Sequence, residues 1–210
     1  MKKLLDVANW NRKDHFAFFN TFEEPFFGVT VNMDCTIAYQ KAKQLGVSFF
    51  QYYLHKSLVA ANRVEAFRYR IIDGQVWVYD KVNASAVINR PDGTFGFSYI
   101  TFEEKFNEFS KGASIEIEKV RQSSGLKFAE SGENVIHCSA LPTIDFTALS
   151  HARNYSFKDS CPKFSFGQLK IRGNQKLMAL SVHVNHALMD GFHVGEFIKI
   201  YQDLLNHKEA

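Results

Sequence analysis

The 210-residue sequence has few cysteines, little net charge and no long hydrophobic run. Its three cysteines cannot all pair within one chain, so nothing indicates a disulfide framework. Basic residues outnumber acidic ones by only 25 to 22 and are scattered, which argues against binding to nucleic acid or to a membrane surface. No apolar run approaches the roughly 18 residues that a membrane-spanning helix needs. Polar residues from Asp6 onward also interrupt the Lys-Lys-Leu-Leu opening, so we expect no export signal and a cytoplasmic protein.

Prolines and glycines, the usual markers of linkers, number only 4 and 12. No repeat or low-complexity stretch divides the chain, and its length is nearer to one domain of roughly 150 residues than to two. Hydrophobic residues make up 46% of the sequence and aromatic residues 15%, which is enough for a substantial core and excludes a disordered chain. We therefore expect a single domain over residues 1–210.

Stretches rich in β-branched and aromatic residues predict a series of strands. Asp73-Gly74 lies between two of them and indicates a hairpin with a two-residue turn. We expect a meander to continue from this hairpin through the next two strands. Gly173-Asn174 joins two longer strands near the end of the chain. The predicted strands cover residues 26–33, 68–72, 75–79, 84–88, 95–100, 134–140, 163–172 and 176–185.

Apolar residues at helical spacing predict three helices, over residues 50–61, 102–120 and 194–205. Thr101 and Glu104 have the spacing of a capping box, which would begin the second helix. Together with the strands, these helices indicate an α/β (α+β) two-layer sandwich in which a mixed β-sheet is covered by helices.

The most informative segment is His-Val-Asn-His-Ala-Leu-Met-Asp-Gly-Phe-His-Val, residues 183–194, between the last strand and the last helix. If the strand continues to its end, alternation places His186 on the apolar side. Asp190 can bind the turn, and Gly191 can supply a positive φ before the helix begins. Such a turn can hold an imidazole in the orientation that a general base needs. A lone histidine in this position is more often an ordinary residue of the core.

The pattern His-x-x-x-Asp-Gly, extended here by Phe-His-Val, resembles the signature of chloramphenicol acetyltransferases, whose wider family includes the acyltransferase domains of 2-oxo acid dehydrogenase complexes. Residues 9–16, Asn-Trp-Asn-Arg-Lys-Asp-His-Phe, are similar to the opening Trp-x-Arg-x-x-His-Phe of that family, and residues 139–142 match its Ser-Ala-x-Pro. The resemblance covers nearly the whole chain. It implies an enzyme that moves acetyl from acetyl-CoA, its co-substrate, directly to a hydroxyl of chloramphenicol or a similar small alcohol.

The resemblance also implies a role for individual residues. His186 matches the general base that takes the proton of the substrate hydroxyl, and Ser139 matches the hydroxyl that binds the tetrahedral oxyanion. Ser165 stands where the family has a threonine near that intermediate. Asp190 and Arg12 match a buried ion pair that shapes the site.

The substrate contacts implied by the resemblance are less complete. Phe19, Phe27 and Phe95 fall at positions that line the acceptor pocket, although each could equally be a core residue. Lys170 and Arg172 keep their strand basic and are expected to help to bind CoA. Five positions depart from the family: Phe19 replaces a tyrosine, Thr143 a tryptophan, Asn185 a histidine, Gln168 a lysine and Leu169 an aromatic residue. Chloramphenicol therefore need not be the preferred acceptor.

Two other functions remain open at this point. The departures fit a catalytically weak or inactive homologue that binds acyl-CoA and has another acceptor or none. A metal-dependent hydrolase could use His183, His186, Asp190 and His193, but alternation along the strand separates His183 from His186, and we expect no metal. The resemblance further implies a homotrimer in which each active site lies between two subunits.

Overall fold

The computed structural model describes residues 1–126, 132–155 and 157–206. The strands in these ranges are β1 Lys2–Leu4, β2 Phe26–Asp34, β3 Tyr69–Ile72, β4 Gln75–Tyr79, β5 Asn83–Asn89, β6 Phe95–Phe97, β7 Val135–Ala140, β8 Lys163–Arg172 and β9 Gln175–Asn185. The α-helices are α1 Lys13–Phe19, α2 Thr36–Gln44, α3 Phe49–Arg63, α4 Phe106–Arg121 and α5 Gly191–Asn206. Short 3₁₀ turns cover Val7–Asn9 and Glu65–Arg68.

The main sheet has six strands in the order β2-β9-β8-β7-β5-β6. β7 is parallel to both β5 and β8, and the remaining pairs are antiparallel. A second sheet joins β1, β4 and β3, in that order. The predicted class, a mixed sheet covered by helices, is therefore confirmed.

One side of the main sheet is apolar and packs against the helices. Phe164 of β8 stacks on Phe197 of α5, with ring centroids 4.8 Å apart, and Phe166 contacts Tyr53 of α3 at 4.7 Å. All four rings are buried. Since a fully buried phenylalanine stabilises a fold by about 1.5–3 kcal/mol, this layer fixes the position of β8 and β9 firmly against α3 and α5.

The opposite side of the same strands is polar. Ser139, Ser165 and Ser181 lie side by side on β7, β8 and β9, because the strand registers pair Ser139 with Ser165 and Ser165 with Ser181. The neighbouring row, two residues away on the same side, consists of Gly28, His183, Lys163, His137 and Ser85. The loop between β7 and β8 covers part of this polar side, and its His151 packs edge-on against His183 at 4.7 Å.

The predicted meander is wrong at one step, from β4 to β5. The β3–β4 hairpin forms as expected and β5 pairs antiparallel with β6, but β4 pairs with the N-terminal β1 and not with β5. The side chain of Asn62 binds both the N–H and the C=O of Val82, the residue just before β5. The chain is thereby directed away from the hairpin and into the main sheet, where β5 runs parallel to β7.

The predicted start of the second helix is also wrong. α4 begins at Phe106, after an N-cap at Lys105, so Thr101 and Glu104 form no capping box. His55 Nε2 lies 3.0 Å from the carbonyl oxygen of Glu103 and 3.1 Å from that of Glu104. These long-range contacts occupy carbonyl groups that a helix starting at Thr101 would use for itself, and they hold the segment outside the helix.

None of the helices within the described residues has both the length and the apolar character needed to cross a bilayer.

The polar side requires glycine at position 28. A Cβ atom at Gly28 would lie 2.3 Å from His183 Nε2, and the imidazole has little room to move because its Nδ1 lies 3.2 Å from Ser181 Oγ and its ring packs on His151. We expect Gly28→Ala to destabilise the protein by about 1–3 kcal/mol, as overpacking usually does. Urea denaturation at fixed protein concentration measures the change.

The matched control for this substitution is the same change in a His183→Ala background. There the clash is absent, so Gly28→Ala should shift the urea midpoint little or raise it slightly. An equal loss of stability in both backgrounds would contradict the close approach as the cause.

Candidate active site

His186 lies one residue beyond β9, at the start of the turn that leads to α5. Its backbone N–H donates to the carbonyl oxygen of Pro25 at 2.7 Å, and its ring nitrogen Nδ1 lies 3.2 Å from the carbonyl oxygen of Met189. A carbonyl oxygen can only accept, so Nδ1 carries the hydrogen and Nε2 is left unprotonated in the neutral ring. Nε2 is therefore the nitrogen that can accept a proton.

Two phenylalanine rings fix the plane of the His186 imidazole. Phe19, at the end of α1, stacks on it with centroids 4.0 Å apart and an angle of 9° between the planes. The ring of Phe27 lies 4.6 Å away. Phe27 faces the opposite side of β2 from Gly28, so His186 is on the side of the sheet away from the polar rows, as the alternation along the strand predicts.

Local hydrogen bonds shape the turn from His186 to α5. The backbone N–H groups of Leu188 and Met189 donate to the carbonyl oxygen of Asn185, and Asp190 Oδ1 accepts from the N–H of Phe192 at 3.0 Å. The expectation that Gly191 has a positive φ is wrong, because Gly191 is the first residue of α5 and is absent from the left-handed region. Asp190 caps the first turn of α5, as aspartate commonly does at this position.

Arg12 and Asp190 form an ion pair, as the resemblance implies. Arg12 is buried, Asp190 is half-buried, and a second nitrogen of Arg12 donates to the carbonyl oxygen of His186 at 3.3 Å. Burial opposes ionisation of Asp190, but the hydrogen bond to His193 and the charge of Arg12 outweigh it and hold the pKa of Asp190 below its ordinary value. The pair ties the N-terminal segment to the turn that carries His186.

Ser139 lies in the polar row of the sheet, beside Ser165. Ser165 is fully buried, and its hydroxyl oxygen has no hydrogen-bond partner among the described residues. A buried hydroxyl without a partner costs free energy, so its position favours a bound molecule that completes it. Cys138 faces the apolar side, and burial raises the pKa of its thiol far above the ordinary value, which makes it an unsuitable nucleophile.

One chain does not bring Ser139 and His186 together. Across the sheet, Ser139 and Ser181 are separated by two strand spacings, about 10 Å. Along β9, His186 lies five residues beyond Ser181, which is roughly 16 Å further. The two residues also face opposite sides of the sheet. Phe95 is on β6, at the edge opposite to β2, and is therefore remote from Phe19 and Phe27 within one chain.

The two cations assigned to CoA lie near the outer end of β8. Lys170 forms an ion pair with Asp145, and an Nη atom of Arg172 lies 3.9 Å from the same carboxylate. Both side chains are substantially exposed, so they can also contact a ligand. Along β8, Lys163 comes before Ser165, and these two cations come after it. The strand is irregular between Phe166 and Leu169, so the irregularity separates the cations from Ser165.

The four residues considered for a metal hydrolase do not form a cluster. Within the described ranges, the group of ligand types that does come together is His137, Asp159 and Cys161, whose ligand atoms lie within 4.8 Å of one another. Lys163 forms an ion pair with Asp159 at this place, so an ammonium group already balances that carboxylate. His193 lies instead 2.9 Å from Asp190, on the turn.

A cavity of about 590 Å³, which the sequence patterns do not predict, lies at the ends of β5 and β7. Its wall includes Ala140 and Pro142, which closely follow Ser139, and also Ser48, the N-cap of α3, and Arg121, near the end of α4. A helix N-terminus and a guanidinium both favour an anionic ligand, although Glu118, which also lines the cavity, lies 4.0 Å from Arg121 and offsets part of its charge. In the sequence, only the stretch Ser-Ala-Leu-Pro points to this cavity, because its other lining residues come from elements that are far apart along the chain.

Comparisons with known proteins find relatives that align with nearly the whole chain. A sequence model of the family described as "Chloramphenicol acetyltransferase" matches residues 2–202. A chloramphenicol acetyltransferase of Proteus mirabilis is 30% identical over 202 residues, which are 95% of this chain and 92% of that protein. One of Bacillus pumilus is 25% identical over 209 residues, or 99% and 94% of the two chains.

Solved structures show the same relationship. A chloramphenicol acetyltransferase superposes with a TM-score of 0.91 and 31% identity, over 98% of this chain and all of the other. The catalytic core of a 2-oxoacid dehydrogenase complex from Thermoplasma acidophilum superposes with a TM-score of 0.71 over 99% of this chain and all of the other. Its identity is 19%, so the second likeness concerns the fold alone.

The depressed pKa of Asp190 predicts a pH-dependent stability. The ionised carboxylate stabilises the fold above the unfolded-state pKa, near 3.8, and this contribution is lost as the pH falls through the lower folded-state pKa. We expect Asp190→Asn to cost about 1–3 kcal/mol at pH 7, less than a fully buried pair because Asp190 is about one-third exposed. The difference from the wild type should shrink toward pH 3.

Urea denaturation at a series of pH values measures this difference. Asp203→Asn, an exposed position on α5, is the control and should change stability little at any pH. A cost of Asp190→Asn that is the same at pH 7 and at pH 3 would contradict the ion pair as its origin.

Proposed function

Because the chain belongs to the chloramphenicol acetyltransferase family and is an acyltransferase, we propose that it moves acetyl from acetyl-CoA directly to a hydroxyl of chloramphenicol or a similar small alcohol. The observation that carries this proposal is the hydrogen bond from His186 Nδ1 to the carbonyl oxygen of Met189, at 3.2 Å. It leaves Nε2 as the proton acceptor in a ring whose plane is fixed by Phe19.

The proposed reaction needs no covalent intermediate on the enzyme. Nε2 of His186 takes the hydroxyl proton while the acceptor oxygen attacks the thioester carbonyl of acetyl-CoA, and a tetrahedral oxyanion forms. As the oxyanion collapses, the carbon–sulfur bond breaks and the thiolate of CoA takes the proton from the imidazolium. The products are the acetylated alcohol and free CoA, and His186 returns to its starting form.

Ser139 is proposed to donate a hydrogen bond to the oxyanion. A single donor of this kind commonly lowers the barrier by about 3 kcal/mol. Ser165 lies directly beside it and has a buried hydroxyl without a partner among the described residues, which supports a role near the same intermediate.

The separation of Ser139 from His186 within one chain supports an active site built from two subunits. Such a site needs the polar side of one chain to meet the His186 turn of another, with Phe19 and Phe27 brought along on the second chain. A closed ring of three chains repeats this heterologous contact three times and leaves no unpaired copy. We therefore propose a homotrimer with three shared sites.

For acetyl-CoA, the cavity beside Ala140 and Pro142 is the proposed entrance to Ser139. Arg121 and the N-terminus of α3 at Ser48 can hold phosphate groups there, and Lys170 and Arg172 can assist from the end of β8. No metal ion takes part in the proposed reaction, since His186 supplies the base and Ser139 the oxyanion donor.

The first test replaces the proposed base. His186→Gln keeps a polar side chain of similar size but cannot take the hydroxyl proton, so we expect kcat for acetyl transfer to fall by about 10²–10⁴-fold. Thiol release from acetyl-CoA measures it, with calorimetry to verify that acetyl-CoA still binds. The control is His15→Gln, an exposed histidine of α1, which should retain full activity.

Two results would count against this proposal in different ways. Full activity of His186→Gln would remove His186 from the mechanism. Binding of acetyl-CoA by the wild type without transfer to any alcohol tested would favour the alternative function, an inactive acyl-CoA-binding homologue.

The second test asks whether the site is shared between subunits. His186→Gln and Ser139→Ala are each expected to be nearly inactive, but unfolding and refolding them together in equal amounts should restore activity. Chance assembly gives about one quarter of the sites an intact His186 from one chain and an intact Ser139 from its neighbour. Activity no higher than that of the separate variants would indicate sites within single chains, and light scattering would show whether a trimer forms.

A further inference from the structure

The loop between β7 and β8 places charged groups on the polar side of the sheet, near β2. The guanidinium of Arg153 lies over the ring of Phe26, 3.7 Å from its centroid, and the ammonium group of Lys163 lies 4.5 Å from the same centroid. Their side chains are only 14% and 10% exposed. A purely apolar ligand would cover what remains exposed of both charges without offering either a hydrogen bond.

Both cations have a carboxylate partner that holds them in place. Arg153 pairs with Glu24 at 3.2 Å, and the same oxygen of Glu24 accepts the backbone N–H of Phe26 at 3.0 Å. Lys163 pairs with Asp159 and also donates to the carbonyl oxygen of Cys161. The charges on this surface are thus balanced and rigidly placed, a setting that favours neutral polar groups over an anion.

The nearby histidines add neutral hydrogen-bonding groups. Burial, assisted by the charge of Lys163, lowers the pKa of His137 to about 4, and burial with the nearby His183 lowers that of His151 to about 4. Both rings are therefore uncharged at neutral pH and can each donate and accept one hydrogen bond. His137 is two residues from Ser139 on the same strand and faces the same side.

A cavity of about 480 Å³ lies where this surface ends. Its volume is in the range of small-molecule sites. The lining is mixed: polar groups come from Arg153, Asp159, Asn185, Asn20 and Thr21, and apolar surface comes from Phe22, Pro25, Ile71, Tyr155 and Phe157. The side chain of Asn185 faces the polar side of the sheet and that of His186 faces the other, so in the proposed trimer this cavity belongs to the polar surface that meets the His186 turn of a neighbouring chain.

From these contacts we infer that the acceptor of this chain is a polyhydroxylated molecule of the sugar or polyol class, selected through Arg153 on the polar side of the sheet. This inference rests on the proposed function, because it names the substrate class of the same acetyl transfer. Arg153 is a specificity-determining residue in this scheme and takes no part in the chemical step. A guanidinium has five N–H donors in a fixed plane, so it can bind a pair of adjacent hydroxyls while it keeps Glu24.

A largely apolar acceptor is disfavoured for the same reason. It would leave the charged groups on this surface desolvated and without new partners, whereas several hydroxyls replace the water that they lose. One lost hydrogen bond to a charged group commonly changes relative affinity by about tenfold or more. Chloramphenicol, with its aromatic ring and chlorinated group, should therefore be the poorer acceptor.

The experiment compares acceptors on the purified oligomer with acetyl-CoA. Thiol release, with the acetylated product identified by mass spectrometry, is measured for chloramphenicol and for a panel of monosaccharides, amino sugars and linear polyols. We expect kcat/KM for at least one polyhydroxylated acceptor to exceed that for chloramphenicol at least about tenfold. Arg153→Met, which keeps an unbranched side chain but removes the guanidinium over Phe26, should abolish this preference.

Two further variants make the comparison specific. Lys105→Met removes an exposed cation in the segment before α4 and should leave the preference intact. Arg153→Lys keeps the charge beside Glu24 but not the planar donors, so it should lose most of the preference and still fold, as judged by circular dichroism and by the mass of the oligomer.

The outcomes separate this inference from the proposed function. Transfer to chloramphenicol that equals or exceeds transfer to every polyhydroxylated compound would overturn the inferred class and leave the acetyl transfer standing. A preference that survives Arg153→Met would overturn the role of Arg153. No thiol release with any acceptor would overturn both proposals together.

Discussion

The ion pair between Arg12 and Asp190 is the contact on which the rest of the site depends. The carboxylate begins α5 by accepting the N–H of Phe192, and the guanidinium donates to the carbonyl oxygen of His186. One pair thus joins the first and the last parts of the chain at the turn that carries the imidazole. Because Arg12 is buried, loss of either partner would leave the other charge uncompensated.

The second constraint is the alternation of side chains along the central strands. β8 places Phe164 and Phe166 against the helices and Ser165 on the other side, and β7 does the same with Cys138 and Ser139. The apolar side is complete within one chain, because its rings pack against α3 and α5. The polar side is not, since the hydroxyl of Ser165 lacks a partner among the described residues. A folded single chain therefore provides a stable support and an unfinished polar surface, which is what a site completed by substrate and by a neighbouring subunit requires.

Local patterns in the sequence predicted the parts of the fold that local interactions determine. The Asp73-Gly74 hairpin and the long β8–β9 pair followed from turn residues and alternation, and the Phe106 to Val120 stripe gave the body of α4. The predictions were wrong where a contact with a distant side chain determines the path of the backbone. His55 contacts the carbonyl oxygens before α4, and Asn62 contacts the residue before β5. The sequence next to these two segments gives no sign of either contact. The helices α1 and α2 were missed because they are short and irregular in pattern.

The same distinction applies to the site. The positions of His186 and Asp190 could be predicted because the turn is a local structure with a recognisable motif, whereas the polar lining by Arg153 and Lys163 depends on a loop that crosses the sheet. These two groups of residues lie on opposite sides of β2 and β9. Effects of substitutions at such separate places are usually additive. The turn that carries His186 can therefore be kept while the polar side changes, so membership of an acetyltransferase family defines the reaction of this chain more closely than it defines the acceptor.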